Sequence, residues 1–451
     1  MRLVNTPCFA PKVTRIHDRA ELEYSTSSST VGIHDRELSL VCPFHGLRPV
    51  SAKASAVAAP PCDVLSRAEA RQRASGNPLS FLHVSKAEIG LPQNVDRHDP
   101  AVYEHAKVNF RNLITAGVLR RDPIASYYAY RMEAGARVQT GLVFAASLQA
   151  YRDERIKRHE ITRPDKESDL VRHLEALGTQ TSPAMLAYPD APEADRLLAE
   201  ATLGTPDITV TTDDGVRHTI WQIIEASLIE RLTRAFNALP VLYMADGHHR
   251  TAALERVAMA RRSNRRSMPN ARVWERFMAV AFPHHALRIL DYNRVVTDLG
   301  GMNETTFLDR VRERFDVFRV SDQVRPKTRG EFGLYLPGRW FRLCVHPRRI
   351  PVRDPVARLD VSILSQQLLG PILSIHDLQR DSRIDFVGGI HGLDDLERRV
   401  DAGMAAALVL HPTAMQDLME VADRGAVMPP KSTWFEPKLV DGLVCYVFDS
   451  D

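Results

Sequence analysis

The sequence predicts an α+β, mixed α/β fold, and three observations carry that prediction. Hairpins recur as pairs of β-rich runs about turn residues, as in residues 207–222, DITVTTDDGVRHTIWQ. Helical periods are interspersed with them but do not follow every strand in βαβ succession, which argues against a doubly wound sheet. No repeat of 20–50 residues runs through the chain, so a solenoid or propeller is excluded.

Composition narrows the class of function. With 451 residues, 44% hydrophobic and 25% charged, the chain can bury a sizeable core as one large domain or a few ordinary ones. Lys and Arg total 59 against 56 Asp and Glu, a formal charge of +3, so nucleic acid is a disfavoured partner and a small-molecule substrate the expected one. Self-association as a homo-oligomer stays open. The five cysteines (Cys8, Cys42, Cys62, Cys344, Cys445) are scattered, with no CxxC pair for zinc or a disulfide framework. No apolar run reaches the roughly 20 residues that span a bilayer. The opening MRLVNTPCFAPKVTR also lacks a continuous apolar signal stretch. A cytoplasmic protein with no membrane partner is expected.

Residues 1–41 carry the polar tract 25–30 and no sustained period, and read as a flexible or spurious N-terminal extension. Ordered sequence is expected from Pro43. Pro60 and Pro61 force an extended turn, and Ser66 suits the N-cap of a helix over 67–75 that Gly76-Asn77-Pro78 stops. Residues 80–85, SFLHVS, read as a short strand, 100–118 as a helix ending at Gly117, and 127–149 as paired strands. Pro164 fits the first turn of a helix with Thr162 near its cap. A helix over 225–236 precedes the apolar run 239–244, and a further helix is expected from about Thr251 to Arg262, then a basic loop, 261–272. Strands are expected at 278–283, 332–336, 340–345, 405–410 and 443–448, and helices from Glu304 and over 360–369. Residues 292–299 read as a seam, dividing a core domain, 42–290, from a C-terminal α/β lobe, 291–451.

The strongest site candidate is Asp246-Gly247-His248-His249-Arg250, entered from an apolar strand and left by a helix. A helix N-terminus offers unsatisfied N–H groups and a positive dipole end, a natural seat for phosphate. Gly247 permits close approach or φ > 0. Arg250 can clamp phosphate oxygens in bidentate fashion. Asp246 can hold Mg²⁺, and His248 or His249 can move protons or touch phosphate. Asp is also an ordinary helix cap, so the same residues suit a purely structural turn.

The second candidate is Arg158-His159-Glu160 followed by Thr162, Lys166 and Asp169, with an acid/base pair, a hydroxyl, a lysine and a carboxylate inside one loop and helical turn. Its alternative is an exposed Lys166–Asp169 ion pair at i,i+3. His284-His285 reads as a strand-end loop. The segment 428–439, MPPKSTWFEPKL, either covers a pocket with Lys431 and Ser432 turned towards an anion or is a rigid connection. Gly388-Gly389-Ile390-His391-Gly392 is flexible enough to cradle phosphate, a weak pattern by itself.

The stretches PFHGLRP (43–49), PPCDVLS (60–66), GNPLSFLHV (76–84), RHEITRPDK (158–166), ADGHHRTAAL (245–254) and MPPKSTWFEPKL (428–439) together resemble the signatures of the bacterial and archaeal family called domain of unknown function 1015, from about Pro43 to the C-terminus. Cys62 stands where that family usually has tyrosine, and Leu170 where arginine often follows the aspartate. The DGHHR turn is also similar to the phosphate-contacting turn of the ParB/sulfiredoxin group, which includes free-serine kinases. This second resemblance implies a ParB/sulfiredoxin-like core with large insertions. It implies ATP or ADP with Mg²⁺ as cofactors, Gly247, His248, His249 and Arg250 on nucleotide phosphates, and Asp246 beside the metal or substrate. The expected activity is therefore phosphotransfer to a small hydroxylated metabolite, serine or phosphoserine first, with Glu160 or His248 handling the hydroxyl proton. A phosphoester hydrolase using the same residues, or a nucleotide-sensing or DNA-associated regulator, are the alternatives.

Overall fold

The computed structural model describes residues 39–263 and 273–448, so the expected extension lies outside them except for its last three residues, as does most of the basic loop. Ser39 and Leu40 are already buried, and the Leu40 amide donates to Asn237 Oδ1 at 2.7 Å. Ordered structure therefore begins before Pro43. No helix among the described residues is long and apolar enough to cross a membrane.

The fold is mixed α/β. Among the described residues one sheet has nine strands: β1 (Val41–Cys42), β2 (Tyr127–Ala134), β3 (Arg137–Ser147), β4 (Ile156–Lys157), β5 (Ala184–Tyr188), β6 (Ile208–Thr211), β7 (Arg217–Ile223), β8 (Leu242–Asp246) and β9 (Arg276–Pro283). Their spatial order is β4-β8-β5-β9-β3-β2-β7-β6, with β1 also on β3. The β4–β8 and β5–β9 pairs are parallel and the others antiparallel. Such mixing follows from short hairpins combined with a few helical crossovers. The inner strands are buried along most of their length, Leu142–Ala146 and Phe277–Phe282 almost completely, so they show continuous apolar runs without alternation.

A second, wholly antiparallel sheet of six strands orders Phe315–Val320, Arg339–Val345, Glu331–Leu336, Ala406–Val409, Tyr292–Val296 and Ile384–Gly388. Residues 292–296, read above as part of a seam, are thus an inner strand of this sheet. The chain then returns: Trp434–Phe435 pairs with Ile289–Leu290, and Cys445–Val447 joins a four-stranded sheet with Gly46–Pro49, Leu119–Arg121 and Thr179–Gln180.

Local signals set most helix starts. Ser66 closes a reciprocal capping box, accepting from the Glu69 amide while its own amide donates to Glu69 Oε2 at 2.7 Å. Helix α1 (Pro100–Thr115) starts on an Asp99 cap, and α2 (Pro164–Leu177) has Pro164 in its first turn with Arg163 at the cap position. Helix α3 (His248–Ser263) begins three residues before the expected Thr251. The expected strand at 80–85 is instead a helical turn, Leu82–Ser85. Phe81, Leu82 and Val84 pack into one cluster, which a single turn allows and the alternating faces of a strand do not.

One buried carboxyl in the second half is a pH-sensitive element of stability. Asp360 Oδ1 accepts the Gly330 amide at 2.9 Å, while its Oδ2 is enclosed without a partner. Burial pushes Asp360 up to about 7, against the opposing pull of the Gly330 amide and Arg329. An unfolded aspartate ionises near ~3.9, so the folded chain holds the extra proton between those values and stability falls as pH rises from about 4 to about 7. Asp360→Asn, retaining the amide acceptor, is expected to flatten this decline in urea unfolding measured across that window.

Candidate functional site

Strand β8 buries Leu242, Tyr243, Met244 and Ala245 and then delivers a carboxylate. Its register against β5 slips between Met244 and Asp246, a bulge that redirects the strand end. Gly247 follows with φ +100°, a conformation that favours glycine, and a Cβ there would lie 3.1 Å from the Ala184 Cα. Helix α3 starts at once, the Thr251 amide bonding back to the Gly247 carbonyl at 3.0 Å. The preceding amides of its first turn have no intrahelical acceptor.

The motif's side chains diverge around this turn. Arg250 reaches sideways, donating to the Pro183 carbonyl at 2.8 Å and to the Ser182 hydroxyl, while its Nη2 lies 3.9 Å from Asp246 Oδ1. His249 accepts the Arg163 amide on Nε2 at 3.1 Å, which joins this turn to the start of α2. His248 turns inward, 4% exposed, with its ring edge-on to His159 at 4.5 Å between centroids and its Nδ1 3.8 Å from Glu160 Oε2. The two motifs therefore meet in space.

They border a cavity of about 350 Å³, within the range of small-molecule sites (~300–1,000 Å³). Glu160, Lys166, Asp169 and the whole run from Asp246 to Arg250 line it. So do Cys62 and Leu170, the two departures from the family pattern. Asp169 is held by His98 (2.9 Å to Nδ1) and by the Tyr103 hydroxyl (2.5 Å), so it makes no pair with Lys166.

Four other expected residues do not line the cavity. His159 is fully buried behind Glu160. Thr162 donates to Glu167 and faces a separate groove beside Ala426. Ser432 donates to the Pro429 carbonyl at 2.6 Å and is buried as part of a turn, so its hydroxyl is not turned towards an anion. Lys431, at φ +58°, has its ammonium over the Tyr292 ring (5.5 Å) and its carbonyl held by Arg294 at 3.0 Å. Its charge still reaches Glu160, Lys166 and His249. Gly388 and Gly389 are packing glycines rather than a cradle: a Cβ would fall 2.6 Å from the Trp434 ring and 2.4 Å from Asp291 Oδ1 respectively.

Sequence reasoning missed Lys438, whose ammonium donates to Asp246 Oδ2 at 2.8 Å. It stands in the segment already singled out, seven residues beyond Lys431. Asp441, also missed, lines the cavity; burial pushes it up to about 6 while Arg250 and Ser182 pull the other way. The Glu436–Pro437 peptide preceding Lys438 is cis.

Electrostatics divides these groups into three sets. Burial alone would raise Asp246, but the charges of Lys438 and then Arg250 hold it well below the usual carboxylate range. Glu160 is raised, by burial first, while Lys431 opposes. Lys166 is lowered by burial and by the like charges of Lys431 and Arg163, and it makes no ion pair among the described residues. His159 is pushed down to about 4 and His248 is lowered well below its ordinary value, both by burial.

The chain belongs to the family described as Protein of unknown function (DUF1015), which matches residues 41–362, more than half of its length. The stretch 428–439, counted above among the family's signatures, lies outside that match. A search of curated proteins gives no match. Similar solved structures include a free serine kinase in complex with AMP, 14% identical, covering 65% of this chain and 86% of that one with a TM-score of 0.34. A variant of such a kinase in complex with ADP is 15% identical, covering 66% and 88%, TM-score 0.33. A conserved hypothetical protein from Pyrococcus furiosus is 14% identical, covering 67% and 93%, TM-score 0.34.

Removing the ammonium of Lys438 leaves a carboxylate that is largely shielded from water and faces only the longer contact to Arg250. Lys438→Met is expected to cost about 1–3 kcal/mol in urea unfolding. Asp246→Asn combined with it is expected to recover part of that loss, because the two residues are coupled. Gly247→Ala is expected to cost about 1–3 kcal/mol through its left-handed φ and the contact with Ala184.

Proposed function

We propose that this protein is a phosphotransferase acting on a small hydroxylated metabolite, with a nucleotide phosphate held at the start of α3. One observation carries the reading. Lys166, lowered by burial and by like charge from Lys431 and Arg163 and making no ion pair among the described residues, shares a cavity with Arg250 and the first turn of a helix. A half-buried cation crowded by like charge favours an incoming anion, and phosphate satisfies amide and guanidinium donors together.

In this reading the amides from Gly247 to Arg250 and the Lys166 ammonium hold phosphate oxygens. Arg250 is oriented by Ser182 and Pro183. Glu160, raised by burial yet bathed in positive charge, accepts the proton of the acceptor hydroxyl. Positioning and charge neutralisation supply most of the rate enhancement in phosphoryl transfer, which suits a site rich in lysine, arginine and histidine. ATP or ADP is the proposed donor. Mg²⁺ would arrive on the nucleotide phosphates, where it neutralises charge. Asp246 does not fit the ligand role expected for it, because its oxygens face Lys438 and Arg250 and a metal there would have to displace the ammonium.

Incubation with ATP or ADP, Mg²⁺ and serine, followed by mass spectrometry, is expected to yield phosphoserine. Glu160→Gln is expected to lower kcat by about 10²-fold or more with nucleotide KM little changed. Arg250→Met should chiefly raise nucleotide KM. Nucleotide binding with no transfer to serine or to a panel of hydroxylated metabolites would sink the kinase reading, and phosphate release to water alone would replace it with hydrolysis.

A further inference from the structure

His159, Glu160 and His248 each offer one ligand atom, and these atoms lie within 4.8 Å of one another. Both histidines are at least nine-tenths buried, 1% and 4% exposed. Among the described residues, neither ring nitrogen of His159 and not the Nε2 of His248 finds a hydrogen-bond partner. The His159 ring approaches the Met244 backbone without reaching hydrogen-bond geometry. Burying such groups without partners costs free energy, so a site that retains two of them against a carboxylate calls for an explanation. The 3.8 Å between His248 Nδ1 and Glu160 Oε2 is too long for a hydrogen bond. It is close to the roughly 3.3 Å between ligand atoms of a tetrahedral ion with bonds of about 2.0–2.1 Å.

We infer that His159, Glu160 and His248 form a binding site for one divalent first-row transition ion, of the zinc, manganese or iron(II) class, in the inner wall of the cavity. Two imidazoles and one carboxylate suit that class, whereas Mg²⁺ prefers oxygen ligands. Three protein ligands leave a coordination position open towards the cavity for water or a substrate oxygen, the pattern of catalytic rather than structural sites. Ligation through Glu160 Oε2 leaves Oε1 for a substrate hydroxyl, so the site is compatible with the phosphotransfer proposed above and stands independently of it.

The test is titration of the chelator-stripped full chain with Zn²⁺, and with Co²⁺ followed by visible absorption, in the absence of nucleotide. One ion per chain is expected, undisturbed by millimolar Mg²⁺. His248→Gln and Glu160→Gln are each expected to weaken binding by at least about tenfold. His285→Ala, which breaks the exposed group Asp190, His284 and His285, is expected to leave it unchanged. Thermal melts without metal check that each variant is folded. Should His248→Gln not fold, Glu160→Gln, at the cavity wall, decides the question. No binding, binding unaffected by Glu160→Gln, or binding lost in His285→Ala each overturns the inference. None of these results bears on phosphotransfer, whose own assay can fail while the titration succeeds.

Discussion

Asp246 ends a buried strand with its two oxygens facing two cations, and the rest of the site is arranged around that neutralisation. The bulge in β8 redirects the strand end, Gly247 turns the chain, and the first turn of α3 lines the cavity. Left alone, a carboxylate so placed would carry an uncompensated charge partly withdrawn from water. Lys438 supplies the compensating charge at 2.8 Å, and Arg250 completes the neutralisation while being tied to Ser182 and Pro183. The strength of the arrangement comes from partial exclusion of water, which makes pairing worthwhile and non-pairing costly.

Lys438 reaches its place because the loop bearing it is pinned at several points. The Met428 amide donates to the His159 carbonyl at 2.9 Å, and the Lys431 carbonyl is held by Arg294. Trp434 and Phe435 pair with Leu290 and Ile289, and the Glu436 amide donates to Arg288 at 3.0 Å. Arg294 itself is almost fully buried, lies 4.8 Å from the Phe386 ring, and burial pushes it down to about 10. The second sheet is thus the mount on which the loop is carried to the first.

Local chemistry made much of this readable beforehand. The Ser66 capping box, Pro164 in the first turn of α2, the hairpin at 208–223 and the strand–helix junction at Asp246 all depend on neighbours within a few residues, which a sequence displays directly. What was not legible depends on distant partners. Residues 80–85 look like a strand until one sees that Phe81, Leu82 and Val84 share one cluster. Gly388 and Gly389 look like a flexible cradle until Trp434 and Asp291 are placed against them. Lys431 and Lys438 are equivalent in sequence, and only the pinned course of the loop decides which ammonium meets Asp246. The burial of His159 beside His248, from motifs some ninety residues apart, is likewise a property of the packed sheet.

The return of the chain after the second sheet has a consequence for biosynthesis. Synthesis proceeds from the N-terminus at about 5–20 residues per second, so N-terminal segments are available to fold first. Strand β8 and α3 leave the ribosome well before Lys438, so during translation the first sheet can assemble with Asp246 still lacking its closest partner. The constellation is completed only when the last few dozen residues thread back to their strands. A polypeptide that stops short of Lys438 therefore presents the Asp246 turn without its nearest cation.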